Sequence, residues 1–258
     1  MSALGGFRLL LGKELREQLR TLRLIVVVAV LAVFGATSPL LAKLLPDIIK
    51  MAGTEAAGFT ITMPPPTTAD AVAQLVKNLG QFGALIAILV SMGSVATEKE
   101  RGTAGFVLTK PVGRGAFIVA KAASIALLLG AGIAAGYALA WLYTAVLFEA
   151  LPVPGFVTSG VVLWLSLLVI GGVTFLFSVL ARSSLVAGGA GFVALIAAGI
   201  VAAIPGIGAY VPAGLWEPSG LLALGRDAGN VLGPALVSTV FAIACVALAA
   251  AAFRRQEL

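Results

Sequence analysis

Six stretches of this chain hold no charged residue over 19 or more consecutive positions: 24–42, 78–97, 122–148, 150–181, 183–216 and 228–253. A helix needs about 20 mainly apolar residues to cross the roughly 30 Å hydrocarbon core of a bilayer. Each stretch is long enough, and a chain of 258 residues has room for six such spans with their connections. Only 11% of the residues are charged and 60% are hydrophobic, against about a quarter charged in a soluble domain. So few charges cannot cover a surface facing water, so lipid is the solvent over most of it.

Prolines trim the longer stretches, because a proline inside a helix removes one backbone hydrogen bond. Pro152 and Pro154 set the start of the fourth helix near Phe156, and Pro205 ends the fifth near Ala203. The expected fold is all-α, a single transmembrane domain over 1–258 with spans at 24–42, 78–97, 116–148, 156–181, 185–204 and 229–253. The third is long enough to tilt or to protrude.

Lys and Arg set the orientation, since they accumulate in cytoplasmic loops. With the N-terminus inside, 13 of the 17 fall on the cytoplasmic side, and only Lys43, Lys50, Lys77 and Arg226 fall outside. A multi-pass protein of the inner or plasma membrane with both termini cytoplasmic is expected. Trp141, Tyr143, Tyr210 and Trp216 then lie near the outer interface, where amphipathic rings settle. Residues 1–23 are too long and too charged for an ordinary signal-peptide n-region. Leu4, Phe7, Leu11, Leu15, Leu19 and Leu22 recur there every three or four positions, with Lys13, Arg16, Glu17 and Arg20 largely off that stripe. The pattern predicts an amphipathic helix in the inner interface, with a cytosolic extension of the first span as the alternative.

Several chemistries are excluded. The chain has no histidine and one cysteine, Cys245, so imidazole metal sites, Ser-His-Asp triads and an internal disulfide are ruled out. Met51 and Met63, in the outer loop, have no Cys or His beside them, and no metal site is expected. No G-x-x-x-x-G-K-[ST] run occurs, so the chain cannot build the phosphate-cradling loop of an ATPase.

The loop between the second and third spans, 98–115, is the distinctive segment. Thr97 and Glu100 have capping-box spacing, and Lys110-Pro111 is a helix stop. Between them, Phe106, Val107 and Leu108 are apolar on a segment too short to span. A solvated inversion loop and a segment seated in the groove of a cytosolic partner both fit these residues.

The run Glu98-Lys99-Glu100-Arg101-Gly102-Thr103, followed by Lys110-Pro111, Arg114, Phe117 and Lys121, resembles the signature loop of the permeases of type-2 ATP-binding-cassette (ABC-2) exporters. The N-terminal basic helix, the six spans and the Pro/Gly-rich stretch before the last span are similar to the same plan. The resemblance implies that the loop is a coupling helix docked in a cleft of a separate ATPase subunit. Glu98, Glu100 and Arg101, next to Gly102-Thr103 of the signature, then make polar contacts in that cleft, Phe106 is a packing anchor, and Lys110, Pro111 and Arg114 set the exit geometry. It implies two permeases, expected as a homodimer, with two ATPases that carry the ATP and Mg, and a chain that is itself no enzyme. Export is implied by the family alone.

Other classes remain in view: an ion-coupled secondary transporter, a non-transporting assembly factor and an intramembrane enzyme. Ion coupling ordinarily uses ionisable residues at mid-membrane, and the six stretches have none. Gly132 and Gly136 form a G-x-x-x-G, and Gly188, Gly189, Gly191 and Gly199 lie in the fifth span. Small residues of this kind let helices approach closely in lipid, either within one subunit or at a dimer interface. The stretch from Pro205 to Pro218 is too broken to span. It reads as a re-entrant or interfacial segment or an ordinary outer loop, and the family resemblance makes Pro205, Tyr210, Pro212 and Trp216 an outer gate.

Overall fold

The computed structural model describes residues 3–51, 64–102 and 113–256. Among them there is no strand, and the helices are α1 (Ala3–Arg20), α2 (Arg23–Met51), α3 (Thr68–Met92), α4 (Ala96–Glu100), α5 (Arg114–Leu147), α6 (Val153–Leu180), α7 (Ser184–Ala202), α8 (Trp216–Ala223) and α9 (Leu232–Arg254). Six helical segments are long and apolar enough to cross a membrane: α2, α3 continued through α4, α5, α6, α7 and α9.

Several helices run past the charge-free stretches. Lys43 and Asp47 fall in α2, Asp70 and Lys77 in α3, and Lys121 in α5. Backbone hydrogen bonding does not stop where hydrocarbon ends, and the 34 residues of α5 reach about 51 Å at 1.5 Å per residue, well beyond the apolar core. The fourth helix begins at Val153 rather than Phe156, with Pro154 in its first turn. N–H groups there have no intrahelical acceptor, so proline is tolerated. Thr67 caps α3 with Asp70 in a capping box, Asp70 Oδ2 accepting from Thr67 N at 2.8 Å. The expected box at Thr97 and Glu100 does not form. Thr97 N already donates to Gly93 O at 3.3 Å, so Thr97 lies inside a helical turn rather than at its start.

α1 is a helix separate from α2. Leu22 takes a left-handed conformation (φ 58°) at the break, and α1 packs mainly on α5. The face it buries is Gly6, Leu10, Glu14 and Gln18, while Leu19 and, just past the helix end, Leu22 of the apolar stripe remain exposed. The residues at four-residue spacing against α5 thus include two polar ones.

α3, α5 and α6 form the centre, with Leu75, Leu79, Leu128, Leu129, Leu163 and Leu167 fully enclosed. Lipid tails are as apolar as leucine, so helix association in a membrane relies on close packing and hydrogen bonds. Both occur here. A Cβ on Gly35 of α2 would overlap the carbonyl of Gly136 in α5, and one on Gly132 would lie 2.5 Å from Leu31. The G-x-x-x-G of α5 is therefore packing within the subunit. In α7, Gly188 and Gly191 face Met92 and Thr174, whereas Gly189 and Gly199 meet nothing among the described residues within 4 Å. α7 and α9 lie at the periphery, and residues such as Leu185, Val193, Ile200, Leu236 and Val240 face away from the chain.

After α7 the chain makes two 3-10 turns, Gly208–Tyr210 and Pro212–Leu215, before α8. The segment is broken, and it folds inward. Trp216, expected at the outer interface, lies with its ring against Gly80 and donates from Nε1 to Ser166 Oγ at 3.3 Å, halfway along α6. Ser219 of α8 joins a buried hydroxyl chain in which Tyr137 Oη is 3.0 Å from Ser159 Oγ and Ser159 Oγ is 2.9 Å from Ser219 Oγ. Pro212 is buried with Trp216 partly so, while Pro205 and Tyr210 are exposed. The four residues of the expected outer gate therefore split between an inward and an outward face.

Candidate functional site

The turn after α3 is where the chain gathers its charged side chains. Gly93 ends α3, and the backbone N–H groups of Val95 and Ala96 both donate to Ser178 Oγ of α6, at 3.1 and 3.0 Å. Val95 and Ala96 are fully buried. One turn of α4 then projects Glu98, Lys99 and Glu100 in three directions.

Glu98 points toward α5 and α1. Its Oε1 is 2.8 Å from Lys121 Nζ and 3.9 Å from Lys13 Nζ. Lys121 is only 4% exposed and also binds Glu14 Oε2 at 3.1 Å. Lys13 lies 3.2 Å from Glu14 and 3.3 Å from Glu17. Two ammonium groups thus meet three carboxylates where α1, α4 and α5 converge. Burial lowers the Lys13 ammonium, but Glu14, Glu17 and Glu98 outweigh it and hold the group above its ordinary value. Gln18 extends the seam by donating to Ser124 O at 3.1 Å. The Lys121 Nζ also sits 5.1 Å above the Phe117 ring, which stacks on Phe253 of α9. A charge this buried is kept only with partners, because losing one leaves the other desolvated and uncompensated.

Lys99 turns to the end of α6. Its Nζ donates to Val179 O at 2.7 Å, to Ala181 O at 3.1 Å and to Gln256 Oε1 at 3.2 Å. The last carbonyls of a helix lack intrahelical donors and carry the negative end of its dipole, so a lysine suits them. Arg114 holds the same C-terminal tail, donating to Arg254 O at 3.2 Å and Gln256 O at 2.9 Å. Glu100 turns to the start of α7, where its Oε1 accepts from Ser184 N at 2.9 Å. Ser183 Oγ caps the same helix by accepting from Val186 N, and a carboxylate beside free N–H groups is the complementary arrangement.

Arg101 is exposed, and Gly102 closes the turn in a left-handed conformation (φ 66°) with its N–H on Lys99 O. That is the helix-ending role in which glycine carries no Cβ penalty. Thr103, Phe106, Lys110 and Pro111 lie outside the described residues. Of the residues singled out in this loop, Glu98, Glu100 and Arg114 are engaged inside the chain, and Arg101 faces outward. Sequence reasoning missed Glu14, Gln18 and Lys99 as members of the site. Glu14 and Gln18 follow Leu10 at four-residue spacing, a visible signal masked by the stronger leucine stripe.

A second feature is a groove of about 950 Å³ between α5 and α6, lined by Ala126, Gly130, Ala134, Trp141, Val157 and Trp164 among others. Its indole N–H groups are satisfied by backbone, Trp164 by Ala126 O and Trp141 by Leu151 O, which leaves an apolar surface.

The model of a family described as ABC-2 family transporter protein matches residues 8–224. Over 256 residues the chain is 28% identical to the uncharacterized transmembrane protein YxlG of Bacillus subtilis (strain 168), covering 96% of this chain and 97% of that relative. The family match takes in five of the six candidate spans together with α1 from Arg8 on and the charged turn at α4. The chain belongs to the ABC-2 transporter family, and so it is a membrane-embedded permease component rather than a catalytic subunit.

Proposed function

We propose that this chain is the membrane half of an ATP-driven exporter in which two copies form the substrate path and two separate ATPase subunits, carrying ATP and Mg, drive it through residues 97–114. The observation that carries the reading is the turn Ala96–Glu100. It is braced against α1, α5, α6 and α7 at once, so a displacement of the segment that follows reaches four helices. Arg101 and the apolar residues Phe106, Val107 and Leu108 supply the charge and the anchor for the ATPase cleft.

Orientation and assembly follow from the same reading. The distribution of 13 basic residues against 4 supports an orientation with both termini and the α4 turn in the cytoplasm, in an inner or plasma membrane. The outward faces of α2 and α7 meet the second copy. On α7, Gly189 and Gly199 have open space around them and permit close backbone approach. Alternating access then arises at the dimer seam, with the segment from Pro205 to Trp216 at its outer end.

The test is to purify the chain, expressed from its own locus, under mild detergent and identify what accompanies it. An ATPase with a phosphate-binding loop is expected, and Phe106→Asp should release it while membrane insertion is preserved. A chain that elutes without an ATPase under several mild conditions sinks the reading.

A further inference from the structure

We infer that Glu98, Lys99 and Glu100 are positioning residues that form an internal three-way joint, centred on Lys121 and Glu14, and that the ATPase is met only from Arg101 onward; this rests on the exporter reading above. The family resemblance assigns Glu98 and Glu100 to polar contacts with the partner. Their geometry points inward instead. Each of three successive side chains ends on a different element: Glu98 on Lys121 of α5 at 2.8 Å, Lys99 on the last carbonyls of α6, and Glu100 on the first N–H of α7.

The chemistry of each arm matches its target. A carboxylate meets a buried ammonium, an ammonium meets the negative end of a helix, and a carboxylate meets the positive end of another. Lys121 is the centre because it divides its ammonium between Glu98 and Glu14, so one cation clamps the turn to α1. A shift of the coupling segment that draws Glu98 away takes a carboxylate from both Lys121 and Lys13 and so loosens the hold on α1. Glu100 does the same for α7, whose cytoplasmic end is capped by Ser183 and this carboxylate and whose outer face has no packing partner among the described residues. The joint thereby ties one turn to a helix on the membrane surface and to a helix at the proposed dimer seam.

Hydrogen exchange on the full chain in lipid nanodiscs tests the joint without any ATPase. Glu98→Gln is expected to speed amide exchange about tenfold across the middle of α1, which Glu98 reaches through Lys13 and Lys121, with α5 and α6 unchanged. Faster exchange in α4 alone, or nowhere, overturns the proposal. If that variant loses protection across α5 and α6 as well, Glu98→Asp, which keeps the charge on a shorter arm, replaces it. Then α1 has to loosen selectively, and a chain that is undisturbed or loosened throughout overturns the proposal. The co-purified assembly gives a second readout. Glu98→Gln should hold ATPase binding within about twofold of the wild type and lower permease-stimulated hydrolysis by about fivefold or more, whereas Arg101→Glu should release the ATPase. Release by Glu98→Gln would put that carboxylate in the interface and overturn the joint. A wild-type chain that brings down no ATPase defeats the exporter reading, while the exchange result still decides the joint.

Discussion

Gly102 and Gly136 are both glycines for backbone reasons, and the reasons differ in kind. Gly102 sits at φ 66° with nothing among the described residues within 4 Å of where a Cβ would be. Gly102→Ala therefore meets the left-handed backbone penalty, about 1–2 kcal/mol, with no clash against the described residues. Gly136 has ordinary backbone but no room. A Cβ there would lie 2.8 Å from Leu31 O and 2.9 Å from Leu79 Cδ2, so Gly136→Ala has to part α2 from α5. Thermal unfolding in detergent should show a drop of a few degrees for Gly102→Ala and a much larger one, or no folded protein, for Gly136→Ala. Equal effects would contradict this distinction. The G-x-x-x-G spacing that includes Gly136 was legible in the sequence. Its partner was not, because Gly35 lies 101 positions away and nothing local marks it as the matching small residue. Lys121 shows the same limit: the sequence placed it at the start of the third span, but only packing shows it buried between two glutamates.

At the level of elements, two similar sequence signals had opposite fates. Thr67 and Asp70 form a capping box, and Thr97 and Glu100 do not. Three prolines precede Thr67 and leave the chain extended into the cap, whereas Thr97 follows directly on the last turn of α3 and is already bonded to Gly93. A cap needs a non-helical residue at its head, and the preceding chain decides that. α1 is the other instructive element. Its apolar stripe was plain, yet the face against α5 is Gly6, Leu10, Glu14 and Gln18. The leucines left exposed are available to lipid, as an interfacial helix requires. Leu19 is 51% exposed. A tryptophan placed there, Leu19→Trp, should be quenched by lipids brominated near the headgroup end of the acyl chain, and quenching by aqueous iodide alone would remove α1 from the interface.

For the whole molecule, the orientation carries the sharpest expectation. With Cys245→Ala as background, Arg101→Cys and Asp227→Cys place single thiols on exposed turns beyond opposite ends of the bundle. In intact cells a membrane-impermeant maleimide should label position 227 and spare position 101, and the opposite pattern would invert the topology. The division between centre and periphery sets where a second copy can bind. α3, α5 and α6 are enclosed, and α2, α7 and α9 turn apolar faces outward.

The sequence by itself determined the class of the protein: six apolar spans, an all-α membrane domain, the position of the charged turn and its family. Those properties depend on composition and period, which a bilayer reads locally through hydrophobic length and backbone satisfaction. The tertiary structure decided which polar groups meet. Glu14 and Lys121 are 107 positions apart, Lys99 and Gln256 are 157 apart, and Glu100 and Ser184 are 84 apart. Pairing over such separations depends on the rotation of each helix about its axis and on which neighbours it packs against. Both are fixed by long-range contacts such as Gly35 on Gly136 and Trp216 on Gly80, because in lipid it is the fit between helices, rather than the apolar pattern of any one of them, that selects the arrangement.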